Sequence, residues 1–206
     1  MLIIRIEIFF RICYNVQVRA GRNNMDKDLE RLVLSEEQIA KKVRCAAAWI
    51  DERFEGAVTP PVAVCVLKGA VFFFCDLVRA MQTPAQLDFI KISSYGDATE
   101  SSGKPEAEGK LPSSVRGRDV ILVEDIVDSG YTLAALKESI SKLGAKSVTA
   151  VTLFDKPSRR KTPVKADYSC FEIGDEFIVG YGLDYAQKYR NLPYVGVLKR
   201  ALYENK

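Results

Sequence analysis

The chain has 206 residues, of which 48% are hydrophobic and 28% charged, the composition of an ordinary globular protein with one domain and at most a small additional lobe. Its 30 basic and 27 acidic side chains leave a formal net charge of +3, too balanced to predict binding to nucleic acid or to an anionic membrane. The chain has no histidine, which excludes Ser-His-Asp and Cys-His mechanisms and any His-ligated metal. Acid–base chemistry would therefore fall to carboxylates, Lys or Tyr, and any metal would be oxygen-bound, with magnesium the best candidate.

The cysteines are odd in number and irregularly spaced, and no CxxC pair occurs. They are Cys13, Cys45, Cys65, Cys75 and Cys170. This pattern favours a reducing, cytoplasmic compartment without a disulfide framework or a zinc site.

Residues 1–24 differ in composition from the rest of the chain. The first ten residues are apolar but are interrupted by Arg5 and Glu7, so they are too short and too charged to span a membrane. No small-residue cleavage site follows them, as a signal peptide would require. An additional strand is one interpretation. We favour a disordered or non-native extension before Met25, which leaves 25–206 as a single domain.

The elements that follow Met25 have clear signals. The sequence Ser-Glu-Glu-Gln at 35–38 is a capping-box pattern that opens a helix, and apolar residues then recur at helical spacing as far as Phe54. The continuous apolar run at 62–67 is typical of a strand buried on both faces. A second, apolar helix is predicted for 70–81, and an alternating strand for 87–93.

The second half of the chain continues this alternation after a polar interruption. Residues 95–118 lack an apolar period, which indicates a lid, a binding loop or disorder. A buried strand is predicted for 119–124, an amphipathic helix for 132–143 with Gly144 as its C-cap, and a strand for 147–154. This rhythm predicts an α/β fold, with a parallel-sheet core flanked by helices. The shorter β-like segments from Tyr168 onward predict a small hood lobe over the sheet edge.

Three unusual segments fall where predicted strands end, which is where open parallel sheets bind ligands. They are Lys68-Gly69, residues 124–132 and residues 155–157. In the central segment, acidic residues precede a Ser-Gly-Tyr-Thr loop that leads into a helix, so backbone N–H groups and hydroxyls can surround a phosphate. The acids suit ribose hydroxyls, or magnesium held through water. The Walker pattern is absent. A lone Asp-Ser-Gly would be an ordinary turn, but this combination predicts a sugar-phosphate site.

Residues 123–132 resemble the phosphoribosyl-pyrophosphate signature of the type I phosphoribosyltransferases. Further segments are similar to the hypoxanthine(-guanine) phosphoribosyltransferases, particularly of the bacterial type, and the resemblance covers about 32–203. These segments are 67–69, 93–96, 154–157, 177–185 and Tyr189-Arg190. The resemblance implies Mg2+-dependent transfer of the 5-phosphoribosyl group from phosphoribosyl pyrophosphate to hypoxanthine or guanine. It also implies a homodimer or homotetramer, and an unusual cis peptide in the loop around Lys68.

The resemblance implies a role for each matching residue. Asp128 would accept a proton at purine N7, because N9 becomes nucleophilic as a proton leaves the ring system. Lys156 would donate to the purine 6-oxygen and reject the amino group of adenine. The assignments are Glu124, Asp125, Asp128, Ser129, Gly130, Tyr131 and Thr132 for the ribose and its 5′-phosphate; Lys68, Gly69 and Arg190 for pyrophosphate; Lys156, Phe177, Ile178 and Asp184 for the purine; Glu124, Asp125 and Asp184 for the metal; and Ser94 and Tyr95 for a mobile lid.

Simpler interpretations of single residues remain open beside these roles. Lys156 could belong to the solvated basic patch at 159–161, Phe177 to the core, and Asp184 and Arg190 to the solvated surface. A regulatory protein of the same fold should lack the base or Lys68. A transferase for adenine, orotate or uracil is opposed by Asp128 together with Lys156 and Phe177.

Overall fold

The computed structural model describes residues 25–93, 106–108 and 115–204. The extension 1–24 and the lid residues Ser94 and Tyr95 lie outside the described residues, so those predictions stay untested. The strands and helices are β1 (Leu29–Leu34), α1 (Glu36–Arg53), β2 (Val62–Leu67), α2 (Val71–Ala80), β3 (Gln86–Ser93), β4 (Glu106–Glu108), β5 (Asp119–Val127), α3 (Tyr131–Lys142), β6 (Ser147–Asp155), β7 (Tyr168–Glu172), β8 (Ile178–Val179) and β9 (Val195–Leu198), with 3-10 turns at Pro157–Arg159 and Arg200–Leu202.

The main sheet has the strand order β4-β3-β2-β5-β6-β7. Strands β3, β2, β5, β6 and β7 run parallel, and β4 pairs antiparallel with β3. The central strands are buried on both faces: Cys65 and Ile121 pack on the side of α1 and α2, whereas Val64 and Leu122 pack on the side of α3. Full burial of such side chains stabilises the fold by about 1.5–3 kcal/mol each. The predicted parallel-sheet core flanked by helices is confirmed.

Helix α1 begins with the predicted capping box. The Ser35 hydroxyl accepts the backbone N–H of Gln38 at 3.3 Å, and the Gln38 side chain accepts the N–H of Ser35 at 2.8 Å. Two N–H groups that a helix start would leave unpaired are thereby satisfied. The apolar face of the helix, including Ile39, Val43 and Ile50, is buried against the sheet and α2.

The hood is a second sheet of order β1-β9-β8, with antiparallel pairing throughout. It therefore contains β1, from before α1, as well as the C-terminal strands. The prediction that all β-like segments after Tyr168 build the hood was wrong for β7, which extends the main sheet beside β6. Strand β7 is drawn there by apolar packing, because Cys170 is buried in the core and the Tyr168 ring lies 5.2 Å from the Trp49 ring of α1.

Two further boundaries differ from the sequence predictions. Strand β5 continues to Val127 instead of ending at Glu124, because β6 pairs with it as far as Asp155. The stretch predicted to have no regular structure contains β4, which pairs with β3 through Lys91, Ile92 and Ser93. Backbone pairing needs no apolar period, which is why the sequence pattern gave no sign of β4.

None of the described helices has the length and apolarity that a membrane crossing requires.

Candidate active site

The carboxyl ends of β2, β3 and β5 open into a cleft of about 530 Å³. The loop after β2, the end of β5 with its following loop, and the hood each contribute one wall. The polar lining residues are Lys68, Lys91, Glu124, Asp125, Asp128, Ser129, Thr132, Asp184, Gln187 and Arg190, together with the backbone of Gly69 and Gly130. The topology thus brings together side chains that are far apart in the sequence, at the sheet edge where ligands are expected.

A second pocket, of about 350 Å³, adjoins this cleft. Asp125, Ile126, Asp128 and Asp184 line both spaces. The second pocket adds Lys156, Arg159, Phe177, Ile178 and Leu183. Asp128 therefore lies on a wall common to the larger, polar cleft and a pocket lined by an aromatic ring and a buried lysine.

Most of the residues predicted for the site line one of the two compartments, and Tyr131 does not. Its side chain is 46% exposed, at the first position of α3, and lines neither space. Because Tyr131 lies at the start of the helix, its backbone belongs to the helix terminus although its ring faces solvent.

Glu124 and Asp125 are adjacent carboxyl groups in a poorly solvated place. Burial raises the pKa of Glu124 well above its usual value, and the charge of Asp125 adds to this effect. Burial also raises the pKa of Asp125 to about 6, against the opposing influence of the Ile126 N–H and of Arg190. The Glu124 Oε2 atom is buried without a hydrogen-bond partner among the described residues. The pair therefore resists carrying two negative charges unless a cation or donor joins it.

The loop after β2 fits closely against Asp125. The Leu67–Lys68 peptide bond is cis, in agreement with the resemblance. A Cβ atom on Gly69 would lie 1.6 Å from Asp125 Oδ2, so a larger residue would displace the Asp125 carboxylate. The Lys68 ammonium group donates to the Gln187 side chain at 3.3 Å, which directs it toward the hood side of the cleft.

Asp184 and Arg190 lie in the segment between β8 and β9 and form an ion pair with each other. Arg190 Nη2 lies 2.7 Å from Asp184 Oδ1, and Arg190 Nη1 donates to the Gly182 carbonyl at 2.6 Å. The backbone N–H of Gln187 donates to Asp184 Oδ2 at 2.9 Å. Among the described residues, no three Asp, Glu or Cys side chains are arranged to hold a metal by themselves. Glu124, Asp125 and Asp184 thus do not form a closed set of ligands.

The segment after β6 packs against the loop between β5 and α3 and forms a hydrogen bond with it. Gly130 has a φ of 87° at the N-cap of α3, and a Cβ atom there would lie 2.3 Å from Thr162 Oγ1. The backbone N–H of Lys161 donates to the Ser129 carbonyl at 2.9 Å. The loop therefore presents Ser129 and Thr132 at the positive end of a helix, an arrangement suited to an anion.

The second compartment combines a buried cation with an aromatic cluster. Lys156 is 7% exposed, and its Nζ donates to the Glu176 carbonyl at 2.7 Å. Burial lowers the pKa of Lys156, and the nearby Asp128 carboxylate opposes this shift. The Phe177 ring stacks on Tyr203 at 4.9 Å between centroids. Tyr185 meets it edge-on at 5.8 Å.

Several residues of the site were missed by the sequence analysis. Lys91 lies near the carboxyl end of β3, so the rule that identified the other segments could have found it. Arg159 was assigned to a solvated basic patch, but its guanidinium pairs with Asp128 and Asp175 at 2.8 Å each. Gln187 and Tyr203 carry no local signal, because only the fold brings Gln187 to the cleft and Tyr203 onto the Phe177 ring.

The fold and the cleft are suited to a sugar phosphate at the edge of a parallel sheet. The chain belongs to the phosphoribosyltransferase family, since the family model described as "Phosphoribosyl transferase domain" matches residues 33–186.

Its relatives narrow this class. The chain is 49% identical over 181 residues to the hypoxanthine-guanine phosphoribosyltransferase of Bacillus subtilis (strain 168), covering 88% of this chain and 99% of the relative. It is 44% identical to the enzyme of the same name from Streptococcus thermophilus, with 87% and 98% covered. The crystal structure of a hypoxanthine phosphoribosyltransferase from Staphylococcus aureus superimposes with a TM-score of 0.82 at 41% identity, covering 88% of this chain and 97% of the other.

Proposed function

We propose that the protein is an enzyme of purine salvage that transfers the 5-phosphoribosyl group from phosphoribosyl pyrophosphate to hypoxanthine or guanine. The products are IMP or GMP and pyrophosphate. The observation that carries the proposal is the position of Asp128 on the wall common to the larger, polar cleft and the pocket lined by Lys156 and Phe177. The identity to named hypoxanthine-guanine phosphoribosyltransferases supports the choice of base.

The larger cleft would hold phosphoribosyl pyrophosphate. The 5′-phosphate binds at residues 128–132, where N–H groups and hydroxyls meet the start of α3. The ribose hydroxyls donate to Glu124 and Asp125. Pyrophosphate lies against Lys68, the Gly69 backbone and Arg190. The positive charges of Lys68 and Arg190 offset the negative charge of pyrophosphate.

The smaller pocket would hold the purine. The Lys156 ammonium is fixed by the Glu176 carbonyl, so it can donate to an acceptor such as the 6-oxygen of hypoxanthine or guanine. The amino group of adenine would face another donor at that point. Phe177 stacks on the ring, the Ile178 backbone meets its edge, and Asp184 lies near the exocyclic group.

Asp128 would act as the general base. Its carboxylate takes the proton from purine N7, and the electrons of the broken N–H bond return to the ring. The N9 lone pair then forms a bond to C1 of the ribose as the C1–O bond breaks, and that electron pair leaves with pyrophosphate. Closure of a lid carrying Ser94 and Tyr95 would exclude water from the cationic ribose.

The acidic pair fits a magnesium ion. The unpartnered Glu124 Oε2 and the raised pKa values of both carboxyl groups describe a place where a bound cation would be stabilised. Magnesium typically binds one or two protein carboxylates together with phosphate oxygens and water, so an open set of ligands is sufficient. Glu124 and Asp125, with Asp184 nearby, would hold the ion. When bound, it neutralises charge on the leaving pyrophosphate.

Two further properties belong to this proposal. A homodimer or homotetramer is expected from the resemblance to the bacterial enzymes. A reducing, cytoplasmic location is supported by the free thiols of Cys45, Cys65, Cys75 and Cys170.

An assay of base preference tests the function directly. The protein is incubated with phosphoribosyl pyrophosphate, Mg2+ and one of four bases (hypoxanthine, guanine, xanthine or adenine), and the change in absorbance is followed. We expect turnover of hypoxanthine, guanine or both. Turnover of adenine alone, or of none of the four, would contradict the proposal.

A further inference from the structure

Arg159 links the proposed base to a second carboxylate from another loop. Its Nε lies 2.8 Å from Asp128 Oδ1, and its Nη1 lies 2.8 Å from Asp175 Oδ1. Arg159 ends the 3-10 turn Pro157–Arg159 directly after Lys156, and its backbone N–H donates to the Lys156 carbonyl at 3.1 Å. The guanidinium thus belongs to the same rigid segment as the lysine proposed to read the purine.

The two carboxylate oxygens of Asp128 have different surroundings. Oδ1 is inaccessible to solvent and lies 2.8 Å from Arg159 Nε, as an ion-pair contact without hydrogen-bond geometry. The Asp128 side chain as a whole is nevertheless 43% exposed. The Oδ2 atom is therefore the oxygen left available to a substrate.

Stability alone is a poor explanation for this arrangement. The side chains of Arg159 and Asp175 are 51% and 60% exposed, and ion pairs of this kind contribute about 0–1 kcal/mol to folding. Arg159 also lines the pocket that contains Lys156 and Phe177. Its position is accordingly better explained by what it does to Asp128.

We propose that Arg159 is a positioning residue, which holds Asp128 through Oδ1 so that Oδ2 faces the N7 proton of the bound purine. This inference rests on the proposed function and deepens it. Asp175 is the second anchor, because it fixes the guanidinium between two loops. A free carboxylate would rotate about its Cα–Cβ and Cβ–Cγ bonds and would spend less time in the reactive orientation.

The test is a set of variants measured by the rate of product formation in a single turnover, which isolates the chemical step. We expect Arg159→Ala to lower that rate roughly 10- to 100-fold, since a misplacement of about 1 Å can cost on the order of 10²-fold. Arg159→Lys should restore part of the loss. Asp175→Asn should cause a smaller loss. The KM for phosphoribosyl pyrophosphate should not change.

A double mutant separates positioning from a general structural effect. If Arg159 acts through Asp128, its removal in an Asp128→Ala background should cause no further loss, whereas independent effects would add. Lys142→Ala is the matched control, because it also removes one exposed ion pair, on α3 and away from the cleft. Its rate should equal that of the wild type.

The outcomes distinguish the two proposals. An active wild type with an unaffected Arg159→Ala variant, or additive losses in the double mutant, would overturn the positioning role alone. A wild-type chain that used no 6-oxopurine would overturn the proposed function and this inference with it.

Discussion

Three acidic side chains within five residues have three different environments at the end of β5. Glu124 and Asp125 are neighbours near the end of the strand, and both line the larger cleft. Glu124 is buried, whereas Asp125 reaches the backbone of Gly69. Asp128 lies beyond the strand end, where it is half-exposed and lines both compartments. Strand geometry thus separates the residues proposed for ribose and metal from the residue proposed as base.

Removal of the Asp128 carboxylate should disable the chemical step and leave substrate binding intact. General-base catalysis contributes about 10²- to 10⁴-fold, so Asp128→Ala should lower turnover within that range. Binding of phosphoribosyl pyrophosphate, measured by calorimetry in the presence of Mg2+, should change little. The loop between β5 and α3, where the 5′-phosphate is proposed to bind, keeps its contacts in this variant. They include the hydrogen bond from the Lys161 N–H to the Ser129 carbonyl.

Asp119→Ala is the appropriate comparison, since it removes a carboxylate from the opposite end of the same strand, where Asp119 pairs with Lys146. It should retain wild-type turnover. Equal turnover by Asp128→Ala and the wild type would remove Asp128 from its proposed role.

At the scale of elements, the hood supplies the support for the purine pocket. Strand β8 follows Phe177 directly, and the backbone N–H of Leu198 in β9 donates to the Phe177 carbonyl at 2.9 Å. The turn Arg200–Leu202 then returns the chain so that Tyr203 covers one side of the Phe177 ring. The other ring face is proposed to meet the base, so the C-terminal turn and the purine would lie on either side of one aromatic ring.

Loss of the Tyr203 ring should weaken binding of the base and spare binding of phosphoribosyl pyrophosphate. A stacked aromatic pair contributes about 0.5–1.5 kcal/mol, so Tyr203→Ala should raise the KM for hypoxanthine by roughly 2- to 10-fold. Steady-state kinetics with each substrate varied in turn would measure both constants. Leu202→Ala, which shortens an exposed neighbour outside the aromatic cluster, should leave both unchanged. A change in the KM for phosphoribosyl pyrophosphate alone would contradict this role for the turn.

The elements could be predicted where their signal is local. The bounds of β2 agree with the apolar run at 62–67, and the capping box marks the start of α1. Strand β4 and the end of β5 depend on pairing with a neighbouring strand, which no local pattern encodes. The site shows the same difference between local and long-range signals. Residues 124–132 form a continuous motif that the sequence reveals. The role proposed for Arg159 depends on its ion pairs with Asp128 and Asp175, which only the fold brings close to it.

At the scale of the whole molecule, the cleft holds charge that the free protein accommodates poorly. Burial raises the pKa of Asp125 from its usual value of 3.8 to about 6. At pH values between 3.8 and about 6, this carboxyl group therefore binds more protons in the folded protein than in the unfolded chain. Its contribution to stability is therefore favourable at low pH and is lost as the pH rises through about 6. Such a cost is tolerated where function requires the charge.

Asp125→Asn should consequently stabilise the free protein at neutral pH. The amide keeps the shape of the side chain but carries no charge. We expect a Tm several degrees higher than that of the wild type at pH 7.5, because ionisation of the buried Asp125 carboxyl destabilises the fold and the amide avoids it. As the pH falls toward about 3 the two Tm values should converge, because Asp125 is then largely protonated in both the folded and unfolded states. Calorimetry from pH 3 to pH 8 measures the difference.

The same variant should lose the response to the metal that the charge would bind. Mg2+ with phosphoribosyl pyrophosphate should raise the Tm of the wild type more than that of Asp125→Asn, because a ligand that binds the fold more tightly stabilises it more at the same concentration. Glu172→Gln, which neutralises an exposed carboxylate on β7 away from the cleft, should follow the wild type in this response. A variant less stable than the wild type at pH 7.5, or a gap that widens toward acid pH, would show that Asp125 favours folding as a charged group and would reverse this explanation of the cleft.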